Sequence, residues 1–504
     1  MDHPDVIVVG AGVAGLGAAA LLAREHGRQV EVFERAPFIG GRTASFVGDQ
    51  GGLTIDGLTL DASGFRKALA HAGTFVTRAE PELDEMLGRG LLDGCTVEAG
   101  GHGLFWGERS RVACLLERLG ERVEMPVNRG LAYVDHEDAD RMVQVEGGRA
   151  YPWMSPAGYA STRDTLRDMA TVTPEDLRDL MHVSLAAWLG ERTLHPEAYR
   201  FIKVLAASQT GMADPAMTPA GDFLGYMMAA RPLGMNLVTG SVATVPEPGP
   251  IAIPLAFERS LAAGGGRVHR GRGVRRLLVE ENRVRGVELF DGSTVEAPTV
   301  IVTLPPKHAR KVSGATGPEP EATWGAGFLT GLYGLRRDVW AERGVDEPSF
   351  VFMPEVLSEG YVGAVDLVMA TLGSWGHRTP PGLHDFYFST ALIDREMRDK
   401  DLVGRVVDWS DAWLRRTFEV EPEFVLWTAA PEAYGTWRRM GEDRPDVASS
   451  EVAGLFFAGD QYGRRLWGGG IDGAALSAVL CVDAITGGDS ENEIFPWYHR
   501  GLPE

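Results

Sequence analysis

Residues Asp5–Arg35 read DVIVVGAGVAGLGAAALLAREHGRQVEVFER, and this stretch decides the fold. Its four consecutive apolar residues, Val6–Val9, predict a strand buried on both faces, as in a parallel sheet. Gly10, Gly12 and Gly15 follow as a G-x-G-x-x-G turn. The alanines and leucines after the turn favour a helix, and VEVF predicts a second strand. The stretch therefore predicts a strand–helix–strand unit of a parallel α/β sheet.

The three glycines have separate physical tasks in such a unit. The first permits a tight turn, the second lets backbone N–H groups approach a pyrophosphate, and the third lets helix and strand pack closely. The helix N-terminus presents its positive dipole end to the phosphates. Glu34 lies 24 positions after Gly10, where this unit places an acid that binds ribose. These positions predict a dinucleotide site containing Gly10, Gly12, Val13, Ala14, Gly15, Glu34 and Arg35.

A second glycine pair follows the second predicted strand. The stretch RAPFIGGRTASF contains Gly40, Gly41 and Arg42. It resembles the corresponding segment of FAD enzymes in the phytoene desaturase and flavin amine oxidase superfamily. The resemblance implies that the glycine pair lies against FAD and that Arg42 reaches its phosphate or flavin region. A solvent-exposed loop arginine is the alternative for Arg42.

The C-terminal part of the chain carries a matching pattern. GLFFAGD, residues 454–460, and GGGIDGAALSA, residues 468–478, resemble the strand and glycine-rich helix start that close the cofactor domain in this superfamily. The resemblance implies that Gly459 and Asp460 lie at the ribityl chain. It also implies that the backbone at Gly469, Gly470 and Ile471 faces the flavin pyrimidine ring. A helix N-terminus there would offer N–H groups to the negative charge that develops on reduction.

Two more segments are similar to the superfamily. VEAGGHGLFWG, residues 97–107, resembles the acid-x-Gly-x-His stretch that lines the flavin, which implicates Gly100, Gly101 and His102. The resemblance of residues 264–306 implies a returning part of the cofactor domain, with Val274 at the adenine. Within it, FDGS predicts a hairpin turn and Val300–Val302 a buried parallel strand.

The sequence predicts an α/β fold with two units. A Rossmann-like FAD-binding domain, with a parallel sheet and a βαβ unit, is expected to be discontinuous, and so is an α+β substrate-binding domain. The connection over 48–95 is longer than the superfamily pattern leads us to expect, so we treat it as an insertion that forms a lid or an oligomer contact. The predicted ranges are 1–106, 245–310 and 450–487 for the FAD-binding domain, 107–244 and 311–449 for the substrate-binding domain, and 488–504 for a C-terminal tail.

The substrate region shows helix and strand patterns. Thr173, followed by Pro174 and acidic residues, predicts a helix start in TPEDLRDLMHVSLAAWLG, and EAYRFIKVLAASQ predicts another helix. SFVFMPEVL, LVMATLGSW and DFYFSTALI predict strands of an antiparallel sheet. Some aromatic and sulfur side chains are expected to line a dry pocket, although core packing is the alternative for each: Phe223, Tyr226, Met227, Met228, Phe328, Tyr333, Tyr434 and Trp437.

Two reactions compete within the superfamily: C–C desaturation and oxidation of an amine to an imine. Lys311 follows Pro305-Pro306 at the spacing of the water-holding lysine of amine oxidases, and Tyr434 lies where one wall of their aromatic cage is expected. Against this, the second cage position is Gly470, which has no side chain, and Trp467 fills only part of that space. We therefore favour a dehydrogenase or desaturase, with an amine oxidase as the alternative and a non-redox flavoprotein isomerase as a third hypothesis.

Four side chains are the catalytic candidates: Tyr434, His102, Lys311 and Trp467. Tyr434 and His102 are the candidates for taking a proton from the substrate, and a histidine satisfied by backbone contacts is the alternative for His102. No cysteine occurs between Cys114 and Cys481, so the cysteinyl-flavin bond of some amine oxidases has no candidate here. We expect non-covalent FAD and no metal site.

The composition excludes several other functions. The 504 residues carry a net charge of −21, which argues against nucleic acid and anionic membrane surfaces as partners. Three scattered cysteines favour a reducing cytoplasm. The apolar run at the N-terminus lacks the preceding positive charge of a signal peptide, and no transmembrane segment is predicted. We expect a small-molecule substrate, oxygen or a quinone as the electron acceptor, and a possible homo-oligomer.

Overall fold

The computed structural model describes residues 3–100, 104–125, 130–135, 138, 141–145, 153–210, 214–230, 242–243, 248–314, 326–344, 348–352, 370–372, 379–431, 445–463 and 470–496. A five-stranded parallel sheet forms around the buried N-terminal strand. Its order is β12-β2-β1-β16-β22. The strands are β1 (Val6–Val9), β2 (Val30–Phe33), β12 (Arg267–His269), β16 (Thr299–Val302) and β22 (Leu455–Phe457).

The parallel sheet is the middle of three layers. One face is covered by apolar helices that share a core with Val8 and Ile301: α1 (Val13–Arg24), α10 (Ala252–Ala263) and α14 (Gly470–Thr486). The other face packs, through Ile7 and Val300, on a three-stranded antiparallel sheet: β13 (Val274–Glu280), β14 (Arg283–Leu289) and β15 (Thr294–Glu296). Both faces of the parallel sheet are therefore buried, as its continuous apolar strands predict.

An antiparallel sheet in the order β5-β4-β3-β7 follows the first βαβ unit. Its strands are β3 (Ser45–Asp49), β4 (Gly52–Ile55), β5 (Leu58–Leu60) and β7 (Thr96–Glu98). Between β5 and β7 the chain forms α2 (Ala62–His71), β6 (Phe75–Glu80) and α3 (Leu83–Gly88). Phe65 and Leu87 of this segment share a core with Leu332 and Phe424, which lie far along the chain. Residues 48–95 thus pack into the body of the protein.

A second, eight-stranded sheet forms most of the other unit. Its order is β10-β9-β18-β19-β20-β17-β21-β6, and every neighbouring pair is antiparallel except β9 with β18. Phe386 and Phe388 of this sheet pack on Trp413 of a long helix, α13. The new elements are β9 (Gly130–Val134), β10 (Met142–Val145), β17 (Ala326–Leu335), β18 (Pro348–Phe352), β19 (Ala370–Leu372), β20 (His384–Ile393), β21 (Phe424–Ala430) and α13 (Lys400–Phe418).

Five helices form a separate apolar cluster around Trp188 and Phe223. They are α5 (Pro156–Met169), α6 (Pro174–Leu180), α7 (Leu185–Gly190), α8 (Pro196–Thr210) and α9 (Ala220–Ala230). The predicted cap at Thr173 is confirmed as a capping box: its hydroxyl accepts the Asp176 N–H at 3.3 Å, and the Asp176 carboxylate accepts the Thr173 N–H at 2.7 Å. The helix ends at Leu180, and Ser184 caps a second helix, α7.

Six further strands and helices are short, and three 3-10 helices accompany them: Gly41–Thr43, Gly107–Arg109 and Ala341–Arg343. The six are β8 (Leu104–Phe105), which pairs with β11 (Val242–Ala243), and the helices α4 (Arg111–Arg118), α11 (Pro306–Ser313), α12 (Asp394–Met397) and α15 (Glu491–Ile494). Across the described ranges, none of the helices combines the length and the apolar character needed to cross a bilayer.

The predicted α/β class and parallel sheet are confirmed, and two local features differ from expectation. The eight-stranded sheet, which was expected to be antiparallel, contains one parallel pair, β9 with β18. Strand β6, inside the range assigned to the FAD-binding domain, is instead the edge strand of the eight-stranded sheet, where it pairs with β21. Pairing between strands so distant in sequence leaves no local pattern, so the sequence alone did not indicate it.

Candidate functional site

A cavity of about 820 Å³ lies at the carboxyl ends of β1, β2, β16 and β22. The loops that follow parallel strands meet at this edge, which is where open α/β sheets bind nucleotides. The cavity brings together every cofactor candidate in the described ranges: Gly10, Gly12, Val13, Ala14, Gly15, Glu34, Arg35, Gly40, Gly41, Arg42, Gly100, Val274, Gly459, Asp460, Gly470 and Ile471. Gly101 and Gly469 lie outside the described residues.

The first and third glycines of the turn, Gly10 and Gly15, leave no room for a side chain. Gly10 adopts a φ of +106°, which L residues rarely adopt. A Cβ on Gly15 would stand 2.2 Å from the Gly10 carbonyl oxygen. Gly12 caps α1 without a side-chain hydrogen bond, and the first turn of α1 contains no acidic residue. Gly12, Val13 and Ala14 at the start of α1 line the cavity, and the first turn of the helix adds no acidic side chain of its own, which suits a pyrophosphate.

Glu34 is held in place at the end of β2. Its carboxylate accepts the N–H of Ala11 at 2.8 Å and the N–H of Ala36 at 2.7 Å. These bonds fix the side chain beside the glycine turn, at the cavity wall. The position suits an acid that accepts from ribose hydroxyls.

The second glycine pair lies against the first turn. Gly40 and Gly41 have φ values of +112° and +56°, and the Gly40 N–H donates to the Ala11 carbonyl at 2.9 Å. Arg42, which follows, donates from Nη2 to Oδ1 of Asp460 at 2.7 Å. A Cβ on Gly100 would stand 2.4 Å from the Arg42 carbonyl oxygen. Three separate chain segments therefore meet at Arg42.

Asp460 has one carboxylate oxygen free for a ligand. Its side chain is 3% exposed, and its Oδ2 atom is buried without a hydrogen-bond partner among the described residues. The preceding Gly459 has a φ of +151°, and its N–H donates to Ser477 Oγ at 2.7 Å. A buried, unpaired carboxylate oxygen is costly, and a ligand hydroxyl at this point would satisfy it. The site therefore fits the ribityl chain of a flavin.

The last helix of the site, α14, begins in the cavity wall. Gly470 has a φ of +59°, and Ile471 and Asp472 also line the cavity. The Asp472 carboxylate accepts the backbone N–H of Arg111 at 2.7 Å, and its other oxygen lies 3.5 Å from the Arg111 guanidinium. Arg111 is only 3% exposed. This pair balances the acidic charge at the helix start and ties α4 to α14.

The opposite wall comes from α9 of the five-helix cluster. Asp222 and Tyr226 are one helical turn apart, and both line the cavity. The ring of Tyr226 lies 4.6 Å from that of Trp106, centre to centre. Burial raises the pKa of Tyr226 well above its ordinary value, and the Asp472 carboxylate raises it further. The Tyr226 hydroxyl is therefore protonated at neutral pH, near the start of α14.

The remaining walls include one catalytic candidate. Lys311 lies on α11 and lines the cavity together with Thr303, Leu304 and His308. Tyr462 donates its hydroxyl proton to the Leu304 carbonyl at 3.0 Å, which fixes this wall to the end of β22. The other three catalytic candidates, His102, Tyr434 and Trp467, lie outside the described residues.

Residues 70–75 also line the cavity, although the sequence did not mark them as part of a site. They join the end of α2 to the start of β6. Thr74 donates from Oγ1 to the Ala99 carbonyl at 2.5 Å, so this stretch is fixed to the end of β7.

Sequence reasoning also missed Arg111 and Asp222. Arg111 carries no local signal, because its pairing with Asp472 spans 361 positions. Asp222 carries one: it is the single charged residue in the otherwise apolar helix AGDFLGYMMAA. A lone acid in an apolar helix rarely faces the core without a partner or a ligand.

The sequence matches two family descriptions. Residues 88–486 match the flavin containing amine oxidoreductases, and residues 8–67 match an NAD(P)-binding Rossmann-like domain. Neither match covers residues 68–87. Together, the matches span most of the chain.

Two curated relatives are similar in sequence. A zeta-carotene-forming phytoene desaturase of Myxococcus xanthus is 30% identical over 59% of this chain, and the alignment covers about half, 52%, of that protein. A carotenoid phi-ring synthase of Streptomyces griseus is 24% identical over 96% of this chain and 88% of its own length.

Solved structures resemble the fold as a whole. An oxidoreductase of Methanosarcina mazei has a TM-score of 0.66 at 17% identity, over 94% of this chain and 98% of its own. Wild-type putrescine oxidase bound to putrescine has a TM-score of 0.63 at 18% identity, over 96% of this chain and 99% of its own. At such identities the likeness concerns the fold, whereas the sequence match to residues 88–486 extends over most of the chain. The protein is therefore a flavin oxidoreductase and belongs to the family of flavin-containing amine oxidoreductases.

Proposed function

We propose that the protein is an FAD-dependent dehydrogenase or desaturase that removes a hydride and a proton from neighbouring carbons of an apolar, polyene-like or carbonyl-bearing substrate. The flavin, when bound, accepts the hydride, and oxygen or a quinone then takes the electrons. The observation that carries this choice is Gly470, which opens α14 at the cavity with a hydrogen in place of a side chain. An amine-binding cage would need an aromatic side chain at this position, and glycine has none.

Two further observations support the proposal. Both curated relatives are named for carotenoid chemistry, and one of them is a desaturase. The cavity is also lined by apolar side chains such as Trp106, Ile471 and Leu304 near its polar groups. An apolar lining favours a carbon skeleton over a charged amine, because an unpaired charge is costly to bury.

Non-covalent binding of FAD is part of the proposal. The three cysteines of the chain, Cys95, Cys114 and Cys481, are buried, and none of them lines the cavity. The glycine turn of α1, the Glu34 carboxylate and Asp460 would hold the pyrophosphate, the adenosine ribose and the ribityl chain, respectively.

We assign the proton-accepting role to Asp222. Among the described residues, four carboxylates line the cavity: Glu34, Asp222, Asp460 and Asp472. Asp222 is the one carried by the substrate unit, and it lies one turn from Tyr226, whose pKa is raised in part by Asp472 at the start of α14. A carboxylate at that end of the cavity suits general-base catalysis.

The amine oxidase alternative depends on Lys311, which lines the cavity at the spacing of a water-holding lysine. Flavin absorbance under anaerobic conditions separates the alternatives. The FAD-loaded protein is mixed with phytoene, with a cyclic ketone and, in parallel, with putrescine and cyclohexylamine. Bleaching by phytoene or the ketone, with a product lighter by two hydrogens, supports the proposal. Bleaching by an amine with release of ammonia supports the alternative, and conversion to an isomer without net bleaching supports a non-redox isomerase.

A further inference from the structure

We propose that residues 70–75, here called the inserted wall, complete the adenosine half of the FAD site, and that the His71 imidazole hydrogen-bonds the ribose of the adenosine. This inference rests on the proposal that the flavin cofactor is FAD. It does not depend on which substrate is oxidised.

The inserted wall is built from residues outside the family patterns. All six of its residues, from Ala70 to Phe75, line the cavity that also contains the glycine turn and Glu34. They lie within residues 68–87, which neither family match covers. The other residues that line the cavity lie within the two family matches, whereas the inserted wall lies between them.

The inserted wall is fixed on both sides. On the cofactor side, Thr74 donates to the Ala99 carbonyl at 2.5 Å, next to Gly100 in the cavity wall. On the substrate side, Phe75 begins β6 and stands opposite Ala429 of β21. A stretch held at both ends needs little additional ordering when a ligand binds, which favours affinity.

A second anchor holds the segment that precedes the wall. The Asp56 carboxylate accepts two bonds from the Arg270 guanidinium, at 2.7 and 3.1 Å, and the Ile39 N–H at 3.1 Å. Arg270 also donates twice to Glu258 of α10, at 2.7 Å each. The chain is therefore attached to the cofactor unit at Asp56, before α2 begins. This attachment fixes the position of α2 and of His71 at its end.

Charged neighbours place His71 near the ribose. Glu34 and Arg35, which follow β2, line the same cavity as His71. Its ring also meets Phe38 edge-on, with the ring centres 6.4 Å apart. Glu34 is the acid that this fold directs to the adenosine ribose, so His71 lies at that half of the cavity.

The protonation state of His71 suits a hydroxyl ligand. Burial lowers the pKa of His71, Arg35 lowers it further, and Glu34 opposes both. At neutral pH the imidazole is therefore neutral, with one nitrogen that donates and one that accepts. A ribose hydroxyl is both a donor and an acceptor and can use either nitrogen.

Cofactor titrations test the role of His71. The purified protein is stripped of flavin and titrated with FAD, ADP and FMN, for the wild type, H71A, H71N and the control H26A, which alters an exposed loop. We expect H71A to raise the dissociation constants of FAD and ADP about 10-fold, the worth of one hydrogen bond. FMN, which lacks the adenosine, should bind H71A as it binds the wild type. H71N, which keeps an N–H donor, should recover part of the affinity.

Two results would overturn the inference: unchanged FAD affinity in H71A, or equal losses for FAD and FMN. Hydrogen exchange of the wild type provides a measurement that needs no variant. ADP should slow amide exchange over residues 70–75, and unchanged exchange there would also count against the proposal. A protein that binds FAD through His71 but oxidises neither polyene nor ketone would refute the proposed reaction and leave this inference standing.

Discussion

Arg42 and Asp460 form a 2.7 Å ion pair although 418 positions separate them in the chain. The pair joins the second glycine motif of the N-terminal unit to the strand end that precedes the last helix. Asp460 is nearly fully buried, and its second oxygen faces no partner in the described structure. Arg42 thus stabilises a buried carboxylate and leaves one of its oxygens for the ligand, so the pair is both a structural tie and part of the binding site.

Removal of the Asp460 carboxylate should weaken cofactor binding. We expect D460A to raise the FAD dissociation constant at least 10-fold, since a hydrogen bond to a charged group is worth about 1.5–3 kcal/mol. The measurement is a fluorescence titration of the flavin-free protein. D489A, which removes an exposed carboxylate beyond α14, should bind FAD as the wild type does. Equal affinity for D460A and D489A would exclude the role assigned to Asp460.

Two glycine-to-alanine changes inside helices should have opposite effects. In G15A the new Cβ meets a backbone oxygen that cannot rotate away. We therefore expect the free energy of unfolding to fall by about 3 kcal/mol and FAD binding to be lost. In G404A, within α13, a Cβ meets nothing within 4 Å, and we expect a gain of about 0.5–1 kcal/mol. Denaturant unfolding of both variants measures the difference. A G15A variant as stable as the wild type would contradict the close packing at Gly10.

Substitution of Asp222 should slow the reaction without affecting the cofactor. We expect D222N to reduce the rate of anaerobic flavin reduction by phytoene about 100-fold, the usual size of a general-base contribution. Its affinity for FAD should be unchanged. D179N, an exposed acid on α6, is the matched control. If D222N reduced the flavin at the wild-type rate, another group would take the proton.

The contribution of Lys311 distinguishes the two reaction types. A desaturase has no use for a lysine that positions water, so K311M should reduce the flavin with phytoene within about 3-fold of the wild-type rate. In an amine oxidase that relies on this water, K311M would lower the rate of flavin reduction by putrescine 10-fold or more, because the lysine would then take part in catalysis. K400M, at the exposed start of α13, controls for loss of charge. Stopped-flow absorbance measures the rate of flavin reduction in the wild type, K311M and K400M with each substrate.

The cysteines should be unreactive in the folded protein. All three are buried, and burial raises the pKa of Cys114 to about 12 and raises that of Cys481 as well. Because only the thiolate reacts, a raised pKa keeps both thiols protonated and inert at pH 8. Ellman's reagent should therefore react slowly with the native protein. After unfolding in guanidinium, it should react with all three thiols. Rapid reaction of a native thiol would contradict its burial.

Local patterns predicted the parts of the fold that depend on neighbouring residues. The glycines and apolar strand at the N-terminus predicted β1, α1 and β2, and the N-cap at Thr173 predicted the start of α6. FDGS predicted the turn between β14 and β15, and Val300–Val302 predicted a strand that pairs in parallel with β1. In each case the geometry follows from a steric or hydrogen-bonding preference within a few residues.

The missed features all depend on contacts between distant parts of the chain. Strand β6 joins the eight-stranded sheet by pairing with β21, about 350 positions away, so its own sequence does not specify its partner. The inserted wall and Arg111 reach the cavity through Ala99 and Asp472, respectively. Asp222 alone offered a local sign, a single acid in an apolar helix, but the helix sequence does not tell which way that acid points.

The order of strands in the parallel sheet bears on how the protein is made. Strand β22 is an edge strand beside β16, and α14 packs on α1, so residues 455–486 complete a unit that the first residues begin. While the ribosome is still translating the segment before residue 455, neither Asp460 nor the start of α14 exists to hold a cofactor. The nascent chain is therefore an incomplete binder until this segment has been synthesised, and the apolar surface of α1 that α14 covers stays exposed until then, when chaperones are best placed to protect it.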